Sequence, residues 1–232
     1  MTESGPGADL KRALNDSGPV GLGAFPMGVA FGVLVAHSEL AWWWASIFSG
    51  FIYAGSLEFL FLGLVTASAP LTSVAVTAFL VNARHVFYAL SFPLHRVRGR
   101  LGKAYSTFAL SDEAYTVTTG PAAQRYPGRR ILGLQVFIHL YWAGGATTGA
   151  LLGSTIPAHI TGLDFAVTAL FTVLAIDAFR GRRDIGTVVL AVVCALLCRF
   201  VVPAQMLLAA FTLFIAGLLA HYAWTRRKAA HA

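Results

Sequence analysis

The chain has 232 residues, of which 57% are hydrophobic and only 12% are charged. A soluble domain carries roughly 25% charged residues, so this chain has too few polar side chains to cover a water-facing surface. The composition excludes a secreted enzyme, a disordered chain and a soluble nucleic-acid binder. The net charge of +7 does not indicate nucleic-acid binding, because the basic residues form short clusters between apolar runs.

The hydropathy pattern predicts an integral membrane protein. A helix needs about 20 apolar residues to cross the hydrocarbon. We therefore predict an all-α, polytopic membrane helix bundle with about six to eight hydrophobic segments. The expected organisation is a disordered cytoplasmic leader over 1–16, a single transmembrane domain over 17–225 and a basic C-terminal tail over 226–232. The apolar runs occupy about 17–37, 40–67, 70–94, 104–122, 131–153, 162–179, 185–201 and 203–224.

The basic residues indicate an orientation. All Lys and Arg residues except Arg84 and Arg199 lie between or beyond the apolar runs. The positive-inside rule places these clusters, and with them the C-terminus, in the cytoplasm. The clusters at 96–103 and 125–130 then share one side of the membrane, although run 104–122 separates them. That run must therefore break or re-enter rather than cross once. Tryptophans near segment ends, including Trp142, are interpreted as interfacial residues.

Run 17–37 either crosses with the N-terminus outside, against the weak Lys11/Arg12 signal, or is the second broken or re-entrant segment. Its composition, rich in glycine and with Pro19 and Pro26, suits a broken helix. Broken helices near the bilayer midplane form the substrate sites of many transporters. The N-termini of such half-helices are expected near Gly28 or Gly55. The alternative is that these glycines only allow helices to pack closely.

Charged side chains within apolar runs are costly and therefore mark candidate functional sites. One interpretation is a pocket in which carboxylates hold an ammonium group or a proton and Arg84 holds a carboxylate. The alternatives are a structural ion pair of Arg84 with Asp112 or Glu113, and a His85 ring that only bonds to backbone. The candidate substrate-binding or proton-coupling residues are Pro26, Gly28, Gly55, Ser56, Glu58, Asn82, Arg84, His85, Tyr88, Asp112 and Glu113.

The second half of the chain offers little chemistry. Asp164 and Asp177 lie near segment ends and are expected to face water, whereas Cys194 and Cys198 share a helix face and are expected to pack. The sequence contains no recognisable phosphate-binding loop, metal-ligand cluster or nucleophile elbow. We therefore expect no cofactor, no metal site and no enzymatic activity.

Four ordered motifs resemble the AzlC family, the large subunits of bacterial branched-chain amino-acid exporters. They are the Gly/Pro-rich stretch Gly18–Gly32, Tyr53–Phe59, Asn82–Tyr88 and Ser111–Glu113. The resemblance covers about residues 17–120. It implies a multi-pass subunit in the bacterial cytoplasmic (inner) membrane that exports branched-chain or other hydrophobic amino acids. It also implies coupling to protons and a small AzlD-type membrane subunit as partner.

The chain departs from this family at one position of the candidate site. The family usually has glutamine where Glu58 stands, and alanine in place of Leu57. A carboxylate at this position could bind a proton or an ammonium group. A small-solute channel and a non-transporting membrane scaffold subunit are the alternative functions.

Overall fold

The computed structural model describes residues 5–153, 155, 172, 176, 184–202 and 206–230. The regular elements in this part of the chain are helical, which confirms the predicted all-α fold. The chain divides into two compact units, Met1–Ser68 with Val81–Ala166, and Ala69–Leu80 with Val167–Ala232. Run 162–179, including the predicted water-facing Asp164 and Asp177, lies outside the described residues except at Thr172 and Ile176.

The first unit contains the candidate site. Its long helices are α1 (Pro6–Ala36) and α8 (Gly128–Gly153), which pack against each other along their length. The shorter elements are α2 (Trp43–Ile47), a π-helix (Phe48–Ile52), α3 (Gly55–Thr66), α5 (Arg84–Ser91), α6 (Arg100–Phe108) and α7 (Asp112–Thr119). The segment α4 (Leu71–Asn82) precedes α5, and most of α4 belongs to the second unit.

Two helical stretches of the described chain are long and apolar enough to cross a membrane. They are Gly7–Ala36, with 30 residues, and Leu71–Ser91, with 21 residues. Shorter apolar helices lie at Trp43–Ile52, Gly55–Thr66 and Ile185–Val201. These segments fit the predicted membrane helix bundle.

Residues 1–16 were predicted to form a disordered leader. In the structure α1 begins at Pro6 and continues past Asp16, so most of this segment is helical. Proline is favourable in the first turn of a helix, and Asp9 in that turn complements the helix N-terminus. Asp16 forms an ion pair with Arg130 at the start of α8, with a distance of 2.6 Å. Ala13 is buried against Leu134 and Ile138 of the same helix. The residues of α8 that contact this segment lie more than 100 positions away in the sequence. The polar composition of residues 1–16 therefore could not reveal that the segment is ordered.

Run 17–37 is not broken, so this part of the prediction is wrong. The helix α1 continues through Pro19 and Pro26 to Ala36. Gly28 and Gly32 lie against the backbone of α8: a Cβ on Gly28 would lie 2.6 Å from the Trp142 carbonyl oxygen, and one on Gly32 would overlap that of Ala146. The packing alternative is therefore confirmed for these two glycines.

Within the described residues, two other apolar runs are broken by non-helical backbone. The predicted break in run 104–122 is confirmed, because α6 ends at Phe108 and α7 begins at Asp112. The second break falls in run 40–67, between the π-helix and α3, at Tyr53 and Ala54. The expected half-helix N-terminus near Gly55 is thus present, whereas the one near Gly28 is absent.

The second unit contains α9 (Ile185–Val201) and α10 (Met206–Ala230), which includes part of the predicted basic tail. Gly217 of α10 lies against the side chain of Leu190 of α9. Asp184 caps α9 by accepting a hydrogen bond from the Thr187 N–H at 3.2 Å. Cys194 and Cys198 are buried on one face of α9, as expected for packing residues.

Candidate functional site

The two broken segments meet at their breaks. Tyr53, which ends the π-helix two residues before α3, packs its ring on Phe108 at the end of α6, with 6.0 Å between the ring centroids. Ser111 caps α7 by accepting a hydrogen bond from the Ala114 N–H. The N-terminal turns of α3 and α7 therefore lie in the same region of the first unit. Exposed N–H groups at helix N-termini favour negatively charged groups.

Arg84 connects these two turns. Its Nη2 lies 2.7 Å from Asp112 Oδ2 of α7 and donates to Ser56 Oγ of α3 at 3.4 Å. The two side chains of the ion pair are 40% and 33% exposed, so the pair is accessible from one side. The pair leaves two buried atoms, Arg84 Nε and Asp112 Oδ1, without a hydrogen bond in the described chain. The predicted Arg84–Asp112 pair is thus present and retains one spare donor and one spare acceptor.

The other predicted residues of α5 surround this pair. Tyr88 lies beside Asp112 and stacks on Tyr115, with ring centroids 4.3 Å apart. The His85 Nδ1 lies 3.1 Å from the Asn82 carbonyl oxygen, a contact that the backbone-bonded alternative predicts for this histidine. Asn82 thus contributes its carbonyl group to the turn before Arg84.

Glu58 lies apart from the ion pair. Glu58 is fully buried, and its Oε1 accepts hydrogen bonds from the Ala54 N–H at 2.9 Å and from Trp142 Nε1 at 3.1 Å. Residues two positions apart on a helix point in different directions. Glu58 therefore faces α8, whereas Ser56 contacts Arg84. Within the described chain, Glu58 makes no hydrogen bond or ion pair with Arg84 or Asp112, so the structure does not form the expected pocket shared by all three.

The remaining predicted residues lie on other surfaces. Pro26 is exposed on α1. Gly28 lies against the Trp142 backbone, and a Cβ on Gly55 would lie 3.1 Å from the Trp142 ring. Gly28 therefore allows close packing of α1 on α8, and Gly55 allows α3 to lie close to the Trp142 side chain. Glu113 occupies the first turn of α7, within electrostatic reach of Tyr53.

The interfacial interpretation of Trp142 is wrong. Its side chain is buried in the middle of α8, stacks on Phe31 at 6.2 Å and donates to both carboxylate oxygens of Glu58. Buried indole N–H groups usually find an acceptor. The acceptor lies 84 residues away in sequence, so position within the apolar run could not reveal this role.

Gln135 was also missed by sequence reasoning. It is fully buried on α8 and donates from Nε2 to the carbonyl oxygens of Ser106 and Ala109, at 2.8 and 3.0 Å. Its Oε1 accepts from Ser106 Oγ at 2.6 Å. The last carbonyl groups of a helix lack partners within the helix. Gln135 supplies partners at the end of α6 and so stabilises the break before α7.

Replacing Gln135 by Leu should destabilise the protein by roughly 2 kcal/mol, because it leaves the Ser106 carbonyl and hydroxyl without their Gln135 partner, whereas the Ala109 carbonyl keeps the Ser111 N–H. Thermal unfolding of the purified protein in detergent measures this effect. Gln135→Glu keeps the shape but turns the donor into an acceptor that faces two carbonyl oxygens, so it should also destabilise. Melting of Gln135→Leu at the wild-type temperature would contradict this role.

Comparison with known proteins identifies the family of this chain. The family model described as AzlC protein matches residues 19–156, which include all four motifs except the first residue, Gly18. A membrane protein of Helicobacter pylori (strain J99) is 30% identical over 82% of this chain and 86% of the relative. The branched-chain amino acid transport protein AzlC of Bacillus subtilis is 32% identical over 71% of this chain and 66% of the relative. The inner membrane protein YgaZ of Escherichia coli is 27% identical over 77% and 76%.

No solved structure matches the chain. The relatives are named as membrane proteins, in agreement with the apolar helices described above. The names also indicate a transporter rather than an enzyme. Because the family model spans more than half of the chain, including both broken segments and Arg84, the chain belongs to the AzlC family.

Proposed function

We propose that this chain is the large subunit of a proton-coupled secondary exporter of branched-chain or other hydrophobic amino acids in a bacterial inner membrane. The name of the Bacillus subtilis relative supports the substrate class. The observation that carries the proposal is the Arg84–Asp112 pair, which is partly exposed, lies between two helix breaks and retains a spare donor and a spare acceptor.

This arrangement suits a zwitterionic amino acid. The Arg84 guanidinium can bind a carboxylate with two parallel hydrogen bonds, and the carboxylates at the start of α7 can accept from an ammonium group. In the empty state Arg84 and Asp112 compensate each other's charge at this partly exposed site. A zwitterion carries no net charge, so its binding leaves the net charge of the site unchanged. The stacked rings of Tyr88 and Tyr115 offer an apolar surface beside Asp112.

Glu58 is the proposed site of proton coupling. It is buried, and within the described chain no cation bonds to its carboxyl group. An ionised carboxylate that is buried without a counter-ion raises the free energy of the protein. Binding of a proton to Glu58 neutralises the carboxylate and removes this cost. Glu58 accepts a hydrogen bond from the Ala54 N–H at the start of α3. Ser56 lies in the same turn of α3 and contacts Arg84. Protonation of Glu58 can therefore act on the substrate site through the first turn of α3.

Leucine efflux from proteoliposomes tests this proposal. Vesicles loaded with labelled leucine would contain the chain with or without the small AzlD-type subunit, which we propose as its partner. We expect efflux that requires both subunits and that accelerates when the external medium is made acidic. Rapid downhill flux that ignores the pH gradient would instead indicate a channel. Absence of leucine flux under every condition would reject the proposed function.

Replacing Glu58 by Gln should preserve efflux but remove most of its dependence on pH. A glutamine oxygen at the Oε1 position can still accept from Ala54 and Trp142, so the first turn of α3 should remain in place. The amide cannot take up a proton in the physiological pH range. Initial leucine efflux would be measured for both proteins across a series of pH gradients. An unchanged pH profile would show that coupling does not depend on Glu58.

A further inference from the structure

Tyr53 has an unusual backbone conformation. Its φ and ψ are 47° and 50°, in the left-handed region, where it ends the π-helix before α3. Glycine and asparagine adopt this region readily, whereas a bulky aromatic residue there is a true outlier. Segments of π-helix also occur frequently at functional sites. Glycine would form this turn more readily than tyrosine. The presence of tyrosine therefore indicates that its side chain has a role at this position.

The Tyr53 side chain adds a second unfavourable feature. The residue is only 7% exposed, and its ring stacks near His139 with 4.1 Å between the ring centroids. Its hydroxyl oxygen is buried and makes no hydrogen bond of good geometry within the described chain, although the Ser111 hydroxyl lies close enough to be a weak partner. Buried polar groups in proteins nearly always have partners, and an exception often marks a position filled by a water, an ion or a ligand.

The hydroxyl of Tyr53 points to the start of α7. Ser111 and Glu113 are the polar residues of α7 that interact with it electrostatically, and the residue between them is Asp112 of the ion pair. Arg84 compensates Asp112, but Glu113 forms no ion pair with any described residue. The region therefore has a surplus negative charge beside a neutral Tyr53 oxygen that has only the Ser111 hydroxyl as a weak partner. A small cationic group with N–H donors satisfies both.

We propose that Tyr53 and Glu113 form the subsite for the ammonium group of the transported amino acid, while Arg84 binds its carboxylate. This inference rests on the proposed function and specifies how the site recognises an α-amino group. The ammonium group donates one hydrogen bond to the Tyr53 oxygen, and Glu113 supplies the opposite charge. The site then selects amino acids over carboxylic acids of the same shape, because such acids leave Tyr53 and Glu113 without a donor.

Competition by leucine and by 4-methylvalerate, its analogue without the amino group, tests this subsite. In the wild-type complex, unlabelled leucine should inhibit efflux of labelled leucine much more strongly than the analogue does. Tyr53→Phe should weaken inhibition by leucine about tenfold, as expected for loss of a hydrogen bond to a charged group. Inhibition by 4-methylvalerate should not change, so the selectivity for leucine should fall by the same factor. The melting temperature should change little, because the hydroxyl makes no hydrogen bond of good geometry that the substitution would remove.

Tyr105→Phe is the matched control. Its hydroxyl bonds to His139 Nδ1 at 3.1 Å, in the same aromatic cluster as Tyr53. Removing that hydroxyl should leave the selectivity between leucine and 4-methylvalerate unchanged. If Tyr53→Phe does not fold, Glu113→Gln examines the same subsite and should also reduce the selectivity.

Three results would overturn the inference. The first is unchanged selectivity in a folded Tyr53→Phe protein, or in Glu113→Gln if the former does not fold. The second is an equal loss of inhibition by both compounds, which would indicate a purely structural role for Tyr53. The third is absence of leucine flux in the wild-type complex, which would reject the proposed function and the inference with it. Leucine flux with unchanged selectivity would reject the inference alone.

Discussion

Replacing Arg84 by Ala should reduce leucine efflux at least a hundredfold while the protein still folds and inserts into the membrane. Loss of the guanidinium removes the group that binds the substrate carboxylate, and a charge-assisted bidentate contact is among the strongest that a side chain can make. Stability should change little, because the ion pair is partly exposed and partly exposed pairs contribute only about 1 kcal/mol or less. Efflux from proteoliposomes and the elution volume in detergent measure the two effects separately.

Two further variants separate the role of Arg84 from that of an ordinary ion pair. Arg84→Lys keeps the charge but loses the planar fork, so efflux should be intermediate between wild type and Arg84→Ala. Arg130→Ala breaks a second arginine–carboxylate pair, the one with Asp16, whose distance is 2.6 Å. That variant should lose stability, whereas the folded fraction should retain transport. Wild-type efflux in Arg84→Ala would remove Arg84 from the site.

The sequence predicts the centre of the candidate site because charged groups are costly in an apolar environment. Arg84 and Asp112 lie in different apolar runs, and the need to compensate their charges is sufficient to place them together. The same argument placed Glu58 with them, but a carboxylate can also be satisfied by neutral donors. The indole N–H of Trp142 and the backbone N–H of Ala54 serve this purpose. Neither donor can be recognised from residue type alone.

The positions of the helix breaks were harder to predict because glycine and proline favour two different structures. In α1 the glycines allow contact with α8, and the helix continues through both prolines. In run 40–67 the break occurs at a tyrosine, a residue type that does not predict a left-handed conformation. Whether each run continues or breaks depends on the surface of α8 or α7 that it contacts. A single sequence without contact information does not specify that surface.

The second large effect is expected from a side chain added at Gly32. A Cβ at this position would overlap the Ala146 carbonyl oxygen and lie 2.6 Å from the Ala150 N atom. Both atoms belong to the backbone of α8, which cannot move aside as a flexible side chain can. The contact is reciprocal, because a Cβ on Gly149 of α8 would overlap the Val29 carbonyl oxygen of α1. Gly32→Leu should therefore separate α1 from α8 and destabilise the protein by more than about 4 kcal/mol.

Gly23→Leu on the same helix provides the matched control. Gly23 is exposed, and a Cβ there would meet no atom within 4 Å. This substitution should stabilise α1 slightly, by up to about 1 kcal/mol, since leucine has a higher helix propensity than glycine. Yield of folded protein and melting temperature in detergent would be compared for both variants. Normal folding of Gly32→Leu would contradict the close packing of α1 on α8. It would also contradict the interpretation that the glycines of α1 allow helix packing rather than break the helix.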